Sequence, residues 1–284
     1  MSRRVPSSAV LPAPEAADPP AADLVFAVEV AQRAGRLLIE RLGRVERVDF
    51  KSAKDIVTEV DGLSEELILS AIRNRYPDDA LLAEETGEHR ALRGEGATSG
   101  RGRVWVVDPI DGTINYANGI PFFCVSIALV VDGRPTVGAV HDPVRGETFS
   151  ASRFGPATLD GERIAVSDKE ALSDFVVSMA LSGRAVARRA LAVRKAVRVT
   201  RSMGSAALAL AYVANGRFDA FIQQGGLSTW DIAAAGLIAE RAGARVTNMT
   251  GGAWFDIAGG PRSIGVLAAP ATHHGALLGL ISRP

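Results

Sequence analysis

The chain has 284 residues, with 32 basic side chains against 32 acidic ones, 47% hydrophobic residues and 23% charged ones. At roughly 150 residues per domain this is one large domain or two coupled halves, able to bury a core without disulfide or metal staples. The ordinary composition excludes wholesale disorder and fibrous classes, and zero net charge calls for neither nucleic acid nor a membrane surface as the main partner.

The leader, residues 1–22, carries Arg3–Arg4, but no apolar stretch follows. Pro6, Pro12, Pro14, Pro19 and Pro20 break it, so it reads as a disordered Ala/Pro-rich segment and not a twin-arginine export signal. The rest, 23–284, reads as one domain in two halves, about 23–165 and 166–284. A helix is predicted over 24–42, with Phe26, Val30, Ala34, Leu37 and Leu38 on one face and Gly43 as its stop. A second follows over 63–76, through Leu67, Ile68, Ala71 and Ile72, with Pro77 just past its end. Residues 80–83 read as a short buried strand, 89–103 as a surface loop and 104–107 as another strand. Strands 120–131 and 134–141 are joined by a turn at Asp132–Gly133, and short strands follow at 146–151, 157–159 and 163–164. The second half reads as strand 175–180, basic helix 186–197 and an Ala/Leu-rich helix 203–213. Strand 217–222 comes next, then a helix over 231–242 that is apolar nearly all round and therefore buried. Strand 263–269 and a short helix close the chain. Strands come in blocks, not in strict βαβ alternation, so the class is mixed α/β.

The single cysteine, Cys124, permits no intrachain disulfide and no cysteine-based zinc site. It reads as a small buried hydrophobe and points to a reducing, cytoplasmic compartment. No apolar run reaches the roughly 18 residues of a membrane span. The four histidines, His89, His141, His273 and His274, have no metal-ligand spacing. His273–His274 reads as a solvated helix start.

Four acidic clusters sit where strands end or helices begin: Asp55-Ile-Val-Thr-Glu-Val-Asp61, Glu84-Glu85, Asp108-Pro-Ile-Asp-Gly-Thr113 and Trp230-Asp231. Carboxylates are rarely buried unless paired or bound to a metal. Each cluster alone has a bland reading: a helix cap with Asp61 as N-cap, a solvated acidic pair, a solvated turn, a helix-dipole partner at Asp231. Together they point elsewhere. Pro109 fits the second position of a tight turn, which would fold Asp108 and Asp111 together and free the Ile110 carbonyl. Two such carboxylates repel unless a cation lies between them. Oxygen ligands without His or Cys favour Mg²⁺ or Mn²⁺. Gly112 and Thr113 offer backbone N–H groups to an anion. The pattern points to metal-assisted phosphoryl transfer to water, with Glu84, Thr113 and Asp61 available to orient that water.

These stretches, with Trp105-Val-Val-Asp-Pro-Ile-Asp-Gly-Thr-Ile-Asn-Tyr116 and Trp230-Asp-Ile-Ala-Ala-Ala235, resemble the inositol monophosphatase family over about residues 24–282. The resemblance implies a five-layer αβαβα sandwich and Mg²⁺-dependent phosphomonoester hydrolysis, with Li⁺ as an inhibitor and a homodimer as the assembly. It implies that Glu84, Asp108, the Ile110 carbonyl, Asp111 and Asp231 hold the metals. It places the attacking water on Thr113, Asp61 and Glu84, the phosphate on Gly112 and Thr113, and the alcohol part on Gly204, Ser205 and Ala206. Two positions depart from the family pattern. Gln224 stands where inositol-cleaving relatives carry a Glu, keeping an acceptor and losing the charge, and Lys51-Ser-Ala-Lys54 leads into the first motif.

The resulting expectation is a phosphatase acting on a small phosphorylated alcohol, with inositol-1-phosphate as the first choice. Histidinol phosphate, fructose 1,6-bisphosphate and 3′-phosphoadenosine nucleotides stand as alternatives. A regulatory binding module on the same fold is the non-enzyme alternative. An aspartyl-phosphate mechanism is excluded, because its nucleophile position, two before Asp111, is Pro109.

Overall fold

The apolar stripe near the start folds as α1 (Pro19–Arg41), which opens earlier than predicted because proline suits a first helical turn. The computed structural model describes residues 19–52, 55–89, 102–181, 187–260, 262–263 and 265–282. The predicted leader up to residue 18 lies outside them, as does most of the loop at 89–103. A hairpin of β1 (Val48–Ser52) and β2 (Asp55–Thr58) leads into α2 (Glu59–Arg75). Next come β3 (Ala80–Ala83), β4 (Gly87–His89), β5 (Arg103–Asp111) and the short α3 (Thr113–Ala117). A meander follows: β6 (Cys124–Val131), β7 (Arg134–Asp142), β8 (Glu147–Ser152), β9 (Ala157–Leu159) and β10 (Glu162–Arg163). The second half holds β11 (Val176–Leu181), α4 (Ala187–Ala196), β12 (Val199–Arg201), α5 (Ala206–Ala211), β13 (Ala220–Gln224) and β14 (Leu227–Ser228). It ends with α6 (Thr229–Arg241), β15 (Ala244–Thr247), β16 (Arg262–Ser263), β17 (Val266–Pro270) and α7 (Ala271–Ser282).

Among the described residues, one eight-stranded sheet runs β10-β9-β8-β7-β6-β5-β3-β4 and one five-stranded sheet runs β12-β11-β13-β17-β15. Strand alternation sorts their side chains into layers. Trp105 and Val107 of β5 face α1 and α2, in a core with Ala27, Val30, Leu38, Ile68 and Ile72. Their neighbours Val104 and Val106 face the other way, onto α5 and α6. Phe221 of β13 and Ala268 of β17 close that central core from the second sheet. Ala220, Ile222, Leu267 and Ala269 point outward to Val193 of α4 and to Leu277 and Ile281 of α7. The order is α1/α2, sheet, α5/α6, sheet, α4/α7: the expected five-layer αβαβα sandwich. The near-uniform apolarity of α6 follows from its place between two sheets, with Ala233, Ala234, Ala235 and Ile238 all fully buried.

Several local expectations are corrected. The β1–β2 hairpin and β15 were not predicted; β15 is a short edge strand whose partner β17 supplies its ladder. The predicted helix over 203–213 shrinks to α5, because Gly204 has φ +80 and breaks the helical path. His274 is buried, its Nε2 2.9 Å from Thr247 Oγ1. His273 packs on Phe175, with ring centroids 4.8 Å apart. That pair is not a solvated helix start. Among the described residues no helix is long and apolar enough to cross a membrane.

Candidate active site

The Asp-Pro-Ile-Asp segment is not a turn, as its proline suggested. It continues β5 as a bulge: Asp108 pairs with Ser126 and Asp111 with Cys124 on β6, so β5 spends three steps where β6 spends two. Pro109 is tolerated there because a bulge spares its missing N–H. The Ile110 N–H donates to Asp108 Oδ1 at 3.1 Å, and Ser64 Oγ of α2 donates to the Pro109 carbonyl at 3.1 Å. The backbone then turns through Gly112, at φ +98, into α3. A Cβ on Gly112 would lie 3.2 Å from the Gly204 and Phe122 carbonyl oxygens, so both its conformation and its space call for glycine. Asn115 fastens this crossing, donating through Nδ2 to the carbonyls of Phe122 (2.7 Å) and Met203 (2.8 Å).

Two of the other clusters arrive on helix starts and one on the turn after β3. Asp61 is not the N-cap of α2. Thr58 is, and Asp61 closes a capping box with it, accepting from the Thr58 N–H (2.8 Å) and hydroxyl (2.6 Å). Its other oxygen lies 3.0 Å from Thr113 Oγ1, so one carboxylate serves helix and site together. The same device opens α6, where Asp231 accepts from the Ser228 N–H at 2.6 Å. Glu84 follows β3 directly, and its N–H donates to the Val107 carbonyl at 3.2 Å. The turn behind it is held by Glu65, which is buried on α2 and accepts from Glu85 N, Thr86 N and Thr86 Oγ1. Sequence reading missed Glu65; its position one helical turn past Asp61 was the available signal.

Asp108 and Asp111 are buried and Asp231 half-buried, and each offers a carboxylate oxygen within 4.8 Å of the others. They share a cavity of about 740 Å³ with Glu84, Ile110, Gly112, Thr113 and the loop Met203–Ala206. Burial, then the charges of Glu84, Asp111 and Asp231, push Asp108 well above the usual carboxylate range. Desolvation and the Asp111 charge do the same to Asp231. Asp111 is raised by burial, against the pull of Ser205 and the N–H groups of Ala206, Ala207 and Leu208. Asp61 is raised by burial, partly offset by Thr58 and Thr113. Cys124 is buried as expected, its thiol donating to Asp111 at 3.7 Å, and burial beside Asp111 and Asp108 pushes it far up. A desolvated cluster of like charges with oxygen donors only is the donor set of a hard divalent cation.

Not every expected residue reaches the cavity. Asp61 lies behind Thr113 and is not part of the lining, nor is Glu85. Gly204, Ser205 and Ala206 do line it, but the Ser205 hydroxyl and the Ala206 N–H are already bonded to Asp111. Gln224 is displaced. Gln223 lines the cavity beside Phe221, Ser178 and Ala180, because alternate residues of β13 face inward; Gln224, in phase with Ala220 and Ile222, is not part of the lining, and its Oε1 is buried without a hydrogen-bond partner among the described residues. The Lys51 side chain and Lys54 lie outside the described residues. Arg262 was missed altogether. It stands opposite Ser228 in the β14–β16 ladder and lines the cavity, and no sequence pattern marks it.

The inositol monophosphatase family model matches residues 21–283. The chain belongs to that family. It is a metal-dependent phosphatase family, and the acidic triad of this chain could hold a metal. The chain is 38% identical over 233 residues to a fructose-1,6-bisphosphatase/inositol-1-monophosphatase of Thermotoga maritima, covering 80% of this chain and 85% of that protein. It is 40% identical over 245 residues to the Nus factor SuhB of Pseudomonas aeruginosa, covering 80% and 86%. Among solved structures, the suhB suppressor protein of Bartonella henselae superposes with a TM-score of 0.83 at 32% identity, over 92% of this chain and 99% of that one. A Thermotoga maritima IMPase gives 0.81 at 34%, over 92% and 96%.

Proposed function

We propose that this member of the inositol monophosphatase family hydrolyses a small phosphorylated alcohol with the help of Mg²⁺, with inositol-1-phosphate as the first substrate. One observation carries the reading: three mutually repelling carboxylates converge in a cavity beside Gly112 and Thr113. Glu84, Asp108, Asp111, Asp231 and the Ile110 carbonyl would hold Mg²⁺, or Mn²⁺ in its place, with Li⁺ as an inhibitor. Such cations supply Lewis-acid stabilisation of charge on the phosphate and on the leaving oxygen.

The chain's own residues supply the rest. The Thr113 hydroxyl has one proton and two acceptors, Asp61 Oδ1 and the Ile110 carbonyl, each 3.0 Å away. Donated to Asp61, that proton leaves the hydroxyl oxygen free to accept from a water in the cavity. The pair then orients the water and carries its proton inward, and the burial that raises Asp61 makes it a better acceptor. The N–H groups of Gly112 and Thr113 would hold the phosphate. The alcohol part would rest on Gly204, Ser205 and Ala206, with Gln223 as the polar group from the second sheet. A cytoplasmic homodimer is the assembly we propose.

A second substrate reading has its own support. Arg262 places one cation in an otherwise acidic and neutral lining, which suits a second phosphate, as on fructose 1,6-bisphosphate. The decisive assay is phosphate release from inositol-1-phosphate, fructose 1,6-bisphosphate, histidinol phosphate and 3′-phosphoadenosine nucleotides, with Mg²⁺ and with EDTA. Release that requires Mg²⁺ and favours one compound supports the reading. A folded, metal-loaded protein that releases nothing from any of them would overturn it in favour of the regulatory module.

A further inference from the structure

At the far end of α6 from Asp231 lies a second cleft of about 740 Å³. Asp231 and Arg241 stand at opposite ends of that helix, about 15 Å apart at 1.5 Å per residue, so the two cavities are separate. The second one is framed by the β6–β7 turn, the residue after β8, the C-terminal turn of α6, the edge strand β15 and the loop before β16. Arg134, Arg153, Arg241 and Arg245 line it, together with Trp254 and Phe255.

Several arginines elsewhere are paired: Arg103 with Asp23 and Asp79, Arg145 with Asp142, Arg217 with Glu147, Arg198 with Asp174. Among the described residues none of the four cleft arginines forms an ion pair. Arg241 spends its Nε on the Gly155 carbonyl at 2.7 Å. The one acidic side chain of the lining, Glu240, accepts from Trp254 Nε1 at 2.9 Å and feels the charges of Arg153 and Arg241, so it offsets one of the four positive charges. Four arginines against one carboxylate leave the cleft with an excess of positive charge, which an anion would balance. Their planar forks match phosphate oxygens.

The aromatic pair narrows the ligand further. Trp254 is fixed on α6: a Cβ on Gly236 would meet its six-membered ring at 2.5 Å, so the glycine makes room for the indole. Phe255 stands edge-on to it, with centroids 5.4 Å apart. A site for bare phosphate has no use for a fixed aromatic wall, whereas a nucleobase stacks on one. The volume falls within the roughly 300–1,000 Å³ of small-ligand pockets. We infer that this cleft binds a nucleoside phosphate, its phosphates on the arginines and its base against Trp254 and Phe255. The ligand is a free nucleotide or one unit of a single-stranded RNA. The zero net charge of the whole chain hides this local excess.

The test uses the full chain stripped with EDTA, which leaves the carboxylate cavity repulsive to anions and makes the result independent of phosphatase activity. Calorimetric titration with ATP, tripolyphosphate and a ten-nucleotide single-stranded RNA is expected to give binding that weakens as salt rises. ATP should bind more tightly than tripolyphosphate. Arg134→Ala/Arg245→Ala, at two exposed positions, should weaken ATP by about tenfold or more, in line with the loss of charge-assisted hydrogen bonds. RNA tighter than ATP identifies the strand as the source, and ATP alone identifies the free nucleotide. No ATP or RNA binding to the wild type, equal affinity for ATP and tripolyphosphate, or a double variant that binds ATP as the wild type does, would each overturn the inference.

Discussion

Asp108→Asn separates the electrostatic account of the acidic cavity from any account based on packing. Asp108, Asp111 and Asp231 present oxygens within 4.8 Å of one another. At that separation one like-charge pair costs about 3.5 kcal/mol with an effective dielectric constant of ~20. Without metal the cluster escapes part of this by protonation, which is why Asp108 and Asp231 are raised well above the ordinary carboxylate range. The folded chain then binds more protons than the unfolded one. Its metal-free stability is therefore fullest below the unfolded carboxylate range and falls as pH rises through it toward the raised values. Asparagine removes one charge, and its Oδ1 still accepts the Ile110 N–H. In EDTA near pH 8 the variant should be more stable than the wild type by about 1–3 kcal/mol, less than one full pair repulsion because protonation has already relieved part of it. For a chain of this size that is a rise in Tm of roughly 2–6 °C. With Mg²⁺ the order should reverse. The wild type gains about 2.7 kcal/mol at a hundred times its Kd, the variant gains little, and its turnover falls by several orders of magnitude. Thermal denaturation from pH 5 to 8.5, with EDTA and with Mg²⁺, reads all of this. A variant less stable than the wild type in EDTA, or one keeping the full Mg²⁺-dependent rise, would refute the reasoning.

Thr113→Val keeps the shape of the site and cuts the link to Asp61, so kcat should fall by about 10²–10⁴ while Mg²⁺ still raises Tm; a kcat within tenfold of wild type removes Thr113 from the proton path. Gln223→Ala should alter the ranking of substrates by kcat/KM more than Gln224→Ala does, since only Gln223 lines the cavity; the reverse order would restore Gln224 as the specificity residue. Gly236→Ala drives a methyl into the Trp254 ring and should cost about 1–3 kcal/mol by overpacking, read as a lower Tm; an unchanged Tm would mean that the indole is not seated on α6.

The family, the fold class and the carboxylates that meet in the acidic cavity were legible in one dimension. Hard-ligand chemistry needs carboxylates with no substitute, and it needs them at the ends of elements, where backbone N–H groups are also available. The stretches around Asp61, Glu84, Asp108–Thr113 and Asp231 therefore carry a pattern that reads without coordinates. The apolar periods of α1, α2 and α6 are equally local. What stayed hidden depends on partners distant in sequence. Asp-Pro-Ile-Asp reads as a turn until β6 lies beside it and turns it into a bulge. Thr58, not Asp61, caps α2 because the same carboxylate must also reach Thr113, 52 residues away.

Gln223 and Gln224 are indistinguishable as letters; the pairing of β13 with β11 and β17 decides which of them faces inward. Arg262 joins the cavity only through its ladder with Ser228. The four arginines of the second cleft lie on segments spread from residue 134 to residue 245, each unremarkable in a chain with as many acids as bases. The order of residues sets which chemical groups this protein owns and which local elements carry them. The tertiary structure decided which of those groups meet, because side-chain direction in a strand, and the approach of residues far apart in the chain, are set by sheet register and layer packing.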